Sequence, residues 1–387
     1  MPRPAATSDD QRIRAARMTS LLLDDRPTAG RTVSGVVQWF GAMQGQDFAS
    51  VTWSLGLRTG QTRDEVDAAF ESGEILRTWP MRGTLHVVPG ADARWMIAHL
   101  GARALRGAEA RRQFLGLSAQ DADRAADVLG EALAGGKALT RAECVAALEA
   151  AGISGAGQRA YHLLWYASQK GITCVGPQRG KEQTFVLLDE FAPLGPDLDR
   201  PAALATIAER FVRSHAPVSA HDLARWADLT MADARTGLAA ADGVVPHAIG
   251  PRDLFVAEAR PDAAPAGSAG APALPAHALP GFDEFILGYR DRTAQLDAEH
   301  EKLVVPGGNG VFGNTLVVDG RVVGTWKRRE MARRVEIMAT PVTTITTRDR
   351  RRLAESFAHY ATFVGKPTNI TWSDDSPDTT DAPAPSR

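Results

Sequence analysis

Glu74-Ile75-Leu76-Arg77-Thr78-Trp79-Pro80-Met81-Arg82-Gly83-Thr84-Leu85-His86-Val87-Val88 decides the fold. Residues 74–79 and 84–88 are rich in β-branched and apolar side chains, and Pro80-Met81-Arg82-Gly83 between them carries turn chemistry, so the stretch predicts a hairpin. Four helices are expected upstream. Asp9 to Leu23 sets Ile13, Ala16, Met18, Leu21 and Leu22 at roughly helical spacing. Thr32 is the expected cap of a second helix, with Val36, Val37, Phe40 and Met43 on its apolar face. Val51, Leu55 and Leu57 mark a short third helix. Asp64 to Phe70 is a fourth, with acids in the first turn where the helix dipole favours them. Gln44-Gly45-Gln46-Asp47 interrupts the series as a polar break.

This order of elements recurs, without any sequence repeat of fixed period. Ala119 to Leu133 predicts a helix, Thr140-Arg141-Ala142-Glu143 a capping box opening a second, and Gln158 to Ser168 a third with Gly171 past its end. Strands at Ile172–Val175 and Thr184–Leu188 follow, joined by a basic loop containing Arg179 and Lys181. A third copy has helices at Ala202–Ser214, Ser219–Ala227 and Met231–Ala240, then a hairpin from Val244-Val245 and Leu254-Phe255-Val256. Helices followed by a short hairpin are the pattern of a winged helix. The chain therefore divides into winged-helix units at residues 8–98, 99–192 and 199–260, a Pro/Ala/Gly-rich linker at 261–278, an α+β segment at 279–365 and a disordered tail at 373–387. In the α+β segment, Asp319-Gly320 is a tight hairpin turn, Val335–Met338 a strand and Arg350–Phe363 a helix. The fold class is mainly α with small β-hairpins (α+β).

Composition narrows the function by exclusion. The 387 residues are 44% hydrophobic and 23% charged, which is globular. Two cysteines, Cys144 and Cys174, exclude a disulfide scaffold and point to a reducing compartment. The N-terminus lacks the apolar core of a secretory signal, and no run reaches the roughly 20 apolar residues of a membrane span, so a soluble, cytoplasmic protein is expected. With 44 basic and 46 acidic side chains the net charge is −2, so nucleic-acid binding must rest on local charge.

Local charge is polarised. Arg321 to Arg334 carries Arg321, Lys327, Arg328, Arg329, Arg333 and Arg334 against Glu330 alone, and Arg103, Arg106, Arg111 and Arg112 share a predicted helix. Lys327, Arg328, Arg329, Arg179, Lys181 and the hairpin's Arg82 are the candidate DNA contacts. Other motifs carry little. Gly308-Asn309-Gly310-Val311-Phe312-Gly313 fits a dinucleotide fingerprint, but a strand follows it where a helix is required. The cysteines and histidines lack metal-site spacing, so no metal and no cofactor are expected.

Three stretches then point one way: Gln44-Gly45-Gln46, the hairpin from Arg77 to His86, and Leu279-Pro280-Gly281-Phe282-Asp283-Glu284-Phe285-Ile286-Leu287-Gly288-Tyr289-Arg290-Asp291-Arg292 with Val305-Pro306-Gly307-Gly308-Asn309-Gly310. Together, over about residues 10 to 365, they resemble the winged-helix proteins of the AlkZ-like DNA glycosylase family. The resemblance implies three tandem winged helices in a C-shaped, basic concave arrangement with a C-terminal β-rich part. It implies excision of N7-alkylated purines, including bulky adducts and interstrand crosslinks left by genotoxic natural products. The family's catalytic signature is Gln, a hydrophobic residue, then Gln or Asp; Gln44 and Gln46 match its functional positions, and Gly45 departs from the bulky middle residue.

The chemistry of two amides is consistent with that implication. A neutral carboxamide is no base at pH 7, yet it accepts one hydrogen bond from water while donating another, and so orients a nucleophile. An N7-alkylated guanine already carries positive charge and leaves with little acid assistance. Asp47 and His86 are possible supporting residues, Asp47 as a carboxylate beside a sugar cation or as a helix cap. The expectation is a monofunctional DNA glycosylase, a monomer with no obligate protein partner, acting on double-stranded DNA that carries alkylated purines. The alternatives are a winged-helix transcription regulator, with Gln158–Ser168 as its recognition helix, and a non-catalytic DNA-damage-binding protein.

Overall fold

The hairpin forms with a tighter turn than its sequence suggests. A computed structural model describes residues 8–258, 274–308 and 310–374. Gln44, expected in a polar break, instead lies in a two-residue strand β1 (Met43–Gln44), beside β2 (Ile75–Met81) and β3 (Thr84–Pro89). Pro80 and Met81 belong to β2, so the turn is Arg82-Gly83 alone, at φ 56° and 65°. Both residues at positive φ is the geometry of a two-residue hairpin turn matched to strand twist. The register is irregular between Thr78 and Met81, where Pro80 has no N–H to offer the ladder.

The helices follow the local signals. They are α1 (Ser8–Ser20), α2 (Val33–Phe40), α3 (Phe48–Thr59) and α4 (Arg63–Ala68) before the hairpin, then α5 (Ala93–Leu100), α6 (Ala102–Gly107) and α7 (Glu109–Phe114). Next come α8 (Ala119–Leu133), strand β4 (Leu139–Thr140), α9 (Arg141–Ala150), α10 (Arg159–Gln169), the hairpin β5 (Thr173–Arg179) and β6 (Glu182–Leu187), and α11 (Leu188–Phe191). A third set holds α12 (Arg200–His215), α13 (Ala220–Trp226), α14 (Met231–Ala240) and the hairpin β7 (Val244–Ile249) and β8 (Arg252–Ala257). Thr32 accepts from Gly35 N–H, and Thr140 and Ser219 each close a capping box.

The C-terminal part is more extensive than expected. Strand β9 (His277–Leu279) begins inside the stretch read as linker and crosses its expected end at 278, with Ala278 and Leu279 fully buried. It is followed by the short helices α15 (Glu284–Leu287) and α16 (Glu301–Val304), strands β10 (Thr315–Val318), β11 (Arg321–Glu330) and β12 (Val335–Pro341), α17 (Thr347–Val364) and strand β13 (Thr368–Trp372). β13 lies past residue 365, where the α+β segment was expected to end, and adds a parallel edge to β12. The Gly-rich loop runs from α16 to β10, so no helix receives it. Most of the expected linker (residues 261–273) and of the expected tail (375–387) lies outside the described residues.

Three sheets result among the described residues: β1-β3-β2-β5-β6-β4, β13-β12-β11-β10-β9 and β7-β8. The first two hairpins share a sheet through one pairing, Arg77 with Val175. The hairpin is also wedged between two cores. Val87 and Val88 join a large core with α2, α12 and the C-terminal sheet, while Trp79 and Leu85 plug into a separate core built from α8, α9 and α10. Leu85 and Val87, two positions apart and so on one face of β3, thus enter different cores. Each apolar side chain so buried contributes about 1.5–3 kcal/mol, which fixes the hairpin and the strand paired to it.

Candidate active site

β1 pairs with β3 so that Gln44 faces His86. Gly45 N–H donates to the Leu85 carbonyl at 2.9 Å, extending that contact one residue. A Cβ at Gly45 would lie 3.1 Å from Val87 N and 3.2 Å from the His86 carbonyl carbon. The glycine between the amides thus permits close approach to β3.

Both amides are pinned by their oxygens. Gln46 N–H donates to Gln44 Oε1 at 3.2 Å, and Leu85 N–H donates to Gln46 Oε1 at 3.2 Å. Each amide keeps a second oxygen lone pair and an NH2 group, which is what holding a water requires. Gln44 is buried and Gln46 is exposed. The crevice on the inner side, between Gln44, Ser50, Phe282 and Glu284, has no room for a water molecule. Access is therefore from the side of Gln46 and Asp47. Asp47 is exposed at the N-terminus of α3; its side chain takes the Ser50 hydroxyl at 2.6 Å and makes no capping bond to the backbone.

His86 is fully buried. Its Nδ1–H donates to the Thr84 carbonyl at 2.9 Å, and Nε2 accepts from Arg82 Nη2 at 2.8 Å. Burial, and then the Arg82 charge, hold its pKa well below the ordinary value, so the ring is neutral. Arg82 turns inward to make this bond, and its Nε has no hydrogen-bond partner among the described residues. Burial lowers the Arg82 pKa, Glu284 opposes that, and Arg225 adds to it. The cation is thus within electrostatic reach of the third set of helices.

The remaining expected DNA contacts are scattered. Arg179 is paired with Glu143 at 2.8 Å, and Lys181 is exposed beside it at the tip of the β5–β6 hairpin. Lys327 and Arg329 are exposed on β11, while Arg328 lies 5.9 Å over Trp326 and 5.8 Å over Tyr360. None of these joins the cluster of Gln44, Gln46, His86 and Arg82. Arg225, whose charge acts on Arg82, was not singled out as a contact. His221, Arg225 and Arg290 are exposed and line one surface cleft with Arg103, which is itself paired with Asp228 at 3.5 Å. They come from α6, α13 and the segment after α15, so only the fold assembles them.

Glu284 was also missed as a functional residue, although it lies in a quoted motif. Its Oε1 accepts from Gln44 N–H at 3.0 Å, and its Oε2 accepts from the Trp226 indole at 3.0 Å and lies 3.3 Å from His215 Nε2. The preceding Asp283 makes a bidentate bridge to Arg58 at 2.9 and 3.0 Å and accepts from Ser54 Oγ at 2.7 Å. Burial pushes the Asp283 carboxyl up, but Arg58 overrides it and holds the carboxyl below its usual range. Two neighbouring carboxylates thus anchor the segment from Gln44 to Arg58. A separate cleft of about 750 Å³, lined by Arg26, Trp53, His277 and Arg352, lies at the other end of α3. Among the described residues no group of His, Cys, Asp and Glu could hold a metal ion, and no helix is long and apolar enough to cross a membrane.

Comparison with known proteins agrees with this organisation. An interstrand DNA cross-link repair glycosylase from Streptomyces sahachiroi is 26% identical over 359 residues, covering 88% of this chain and 92% of that protein. The solved structure of the Streptomyces sahachiroi DNA glycosylase AlkZ has the same fold, with a TM-score of 0.76 at 24% identity, covering 93% of this chain and 99% of that one. The model of the family described as "DNA glycosylase AlkZ-like" matches residues 37–363, which include the amide pair, the hairpin and Glu284, and the chain belongs to that family.

Proposed function

We propose that the protein is a monofunctional DNA glycosylase that hydrolyses the N-glycosidic bond of N7-alkylated purines in double-stranded DNA, with three tandem winged-helix units as its scaffold. The observation that carries this reading is the pinning of Gln44 and Gln46 by backbone N–H groups, which leaves both amides oriented and each with one oxygen lone pair and an NH2 group to offer. Water held there adds its oxygen to C1′ as the cationic base departs with the bonding electron pair, leaving a neutral alkylated purine. The proton released from water passes to solvent or to Asp47. Such a leaving group needs no strong acid, so weak catalytic groups discriminate against undamaged bases. His86, neutral and bonded at both nitrogens, supports the hairpin instead of shuttling protons.

A transcription regulator fits less well. In α10, its candidate recognition helix, Ala160 and His162 to Gln169 are buried, and Arg159 is committed to the carbonyls of Leu115 and Gly116. That helix is packed into a core where base-reading side chains would need to protrude.

The test is chromatographic release of free 7-methylguanine from alkylated DNA by pure protein. Gln44→Ala and Gln46→Ala are each expected to slow release by about a hundredfold, the cost of losing nucleophile alignment, while DNA affinity holds. Wild-type binding to alkylated DNA without release would identify a damage-binding module, and unchanged release in both variants would reject the roles of the amides.

A further inference from the structure

We propose that Glu284 is the positioning residue of this site, setting the place of Gln44 from inside the protein and coupling it to the third set of helices. The inference rests on the reading of Gln44 as a catalytic group. Glu284 is 1% exposed, so its action on a substrate must run through another residue. It reaches the amide strand through the Gln44 N–H. Its other oxygen takes Trp226 and His215, which are 1% and 0% exposed.

The far side of this bridge is rigid. His215 stacks on Phe211 at 4.5 Å, stands edge-on to Phe40 at 5.6 Å, and its carbonyl accepts from Tyr289 Oη–H at 2.8 Å. Trp226 packs on Phe211 at 4.9 Å. A Cβ at Gly288 would lie 2.4 Å from His215 Cδ2, so that glycine lets the imidazole approach the helix that carries Glu284. A carboxylate buried this deeply is costly unless its oxygens are hydrogen-bonded, and here both are. β1 is only two residues long and has few ladder bonds to hold it, so a charge-assisted bond from outside its sheet fixes its position.

Glu284→Gln is nearly isosteric and tests the bridge. One amide oxygen replaces two carboxylate oxygens, so the NH2 group must face either the Gln44 N–H or the indole N–H. Single-turnover release of 7-methylguanine with enzyme in excess is expected to fall by about tenfold or more, the worth of one hydrogen bond to a charged group, with DNA affinity unchanged. In a Gln44→Ala background the same change is expected to add almost nothing, because residues acting as a unit are non-additive. Multiplicative effects in the double variant, or wild-type release by a folded Glu284→Gln protein, would overturn the proposal. Backbone hydrogen exchange at Gln44 gives a readout independent of catalysis, with exchange expected to quicken by about tenfold in Glu284→Gln. If the wild-type protein releases no base, the glycosylase reading fails and this exchange still decides the role of Glu284. Should Glu284→Gln fail to fold, Glu284→Asp withdraws the carboxylate by one methylene while keeping its charge, with the same outcomes expected.

Discussion

Asp283→Ala is expected to destabilise the protein by about 3–5 kcal/mol, the cost of leaving one partner of a buried ion pair behind. The side chains of Arg58 and Asp283 are 0% and 2% exposed and meet through two hydrogen bonds. Unit charges about 4 Å apart attract by about 4 kcal/mol at an effective dielectric near 20. Removing Asp283 forfeits that attraction but leaves the guanidinium in place, hydrogen-bonded among the described residues to neutral Leu21 and Ser54 oxygens. The variant also loses the acceptor for Phe285 N–H at the start of α15, worth about 1 kcal/mol. Replacing both partners, in Arg58→Met with Asp283→Leu, is expected to recover most of the loss, since an apolar pair of similar volume leaves no orphaned charge. Urea unfolding followed by tryptophan emission measures all three proteins. A loss below about 1 kcal/mol in Asp283→Ala, the range of exposed ion pairs, would refute the view that this bridge anchors α3 to the C-terminal segment.

Gly45→Ala is expected to cost about 1–3 kcal/mol by overpacking against β3 and to slow base release further by displacing Gln46; unaltered stability would show that the strand can yield. Arg225→Ala with Arg290→Ala is expected to lower the slope of log affinity against log salt by about two, close to one for each phosphate no longer neutralised, whereas Arg179→Ala, already paired with Glu143, should leave it nearly unchanged; equal slopes would remove the cleft from the DNA path. Acid should destabilise the fold. His86 is held well below its ordinary pKa and His277 at about 4, so the unfolded chain takes up protons first. Stability is full above about pH 6.5 and is lost as the pH falls towards 4. A urea midpoint that is the same at pH 7.5 and pH 5 would contradict the burial of these rings.

What could be read in advance was local. Thr32, Thr140 and Ser219 announce their helices because a cap joins residues three apart, and Asp319-Gly320 announces its turn because positive φ is a property of single residues. Strands β9 and β13 escaped because each is a few residues long and is defined by partners about 40 and 30 positions away. The amide pair was legible as a motif, but its surroundings were not. Gln44, His215, Trp226 and Glu284 are separated by up to 240 positions, and each alone has an ordinary explanation. Arg179 looked available because Glu143, which neutralises it, lies 36 residues earlier. Arg225 and Arg290 looked ordinary because no run of charge marks them.

The bond from Gln44 N–H to Glu284 also bears on how the protein is made. A ribosome has translated both glutamines before an eighth of the chain exists, yet the carboxylate that seats the first of them is added only after nearly three quarters. Nascent chains and fragments ending before α15 carry the motif without its anchor. The setting of the amide pair is therefore completed late, when the C-terminal segment packs against α3.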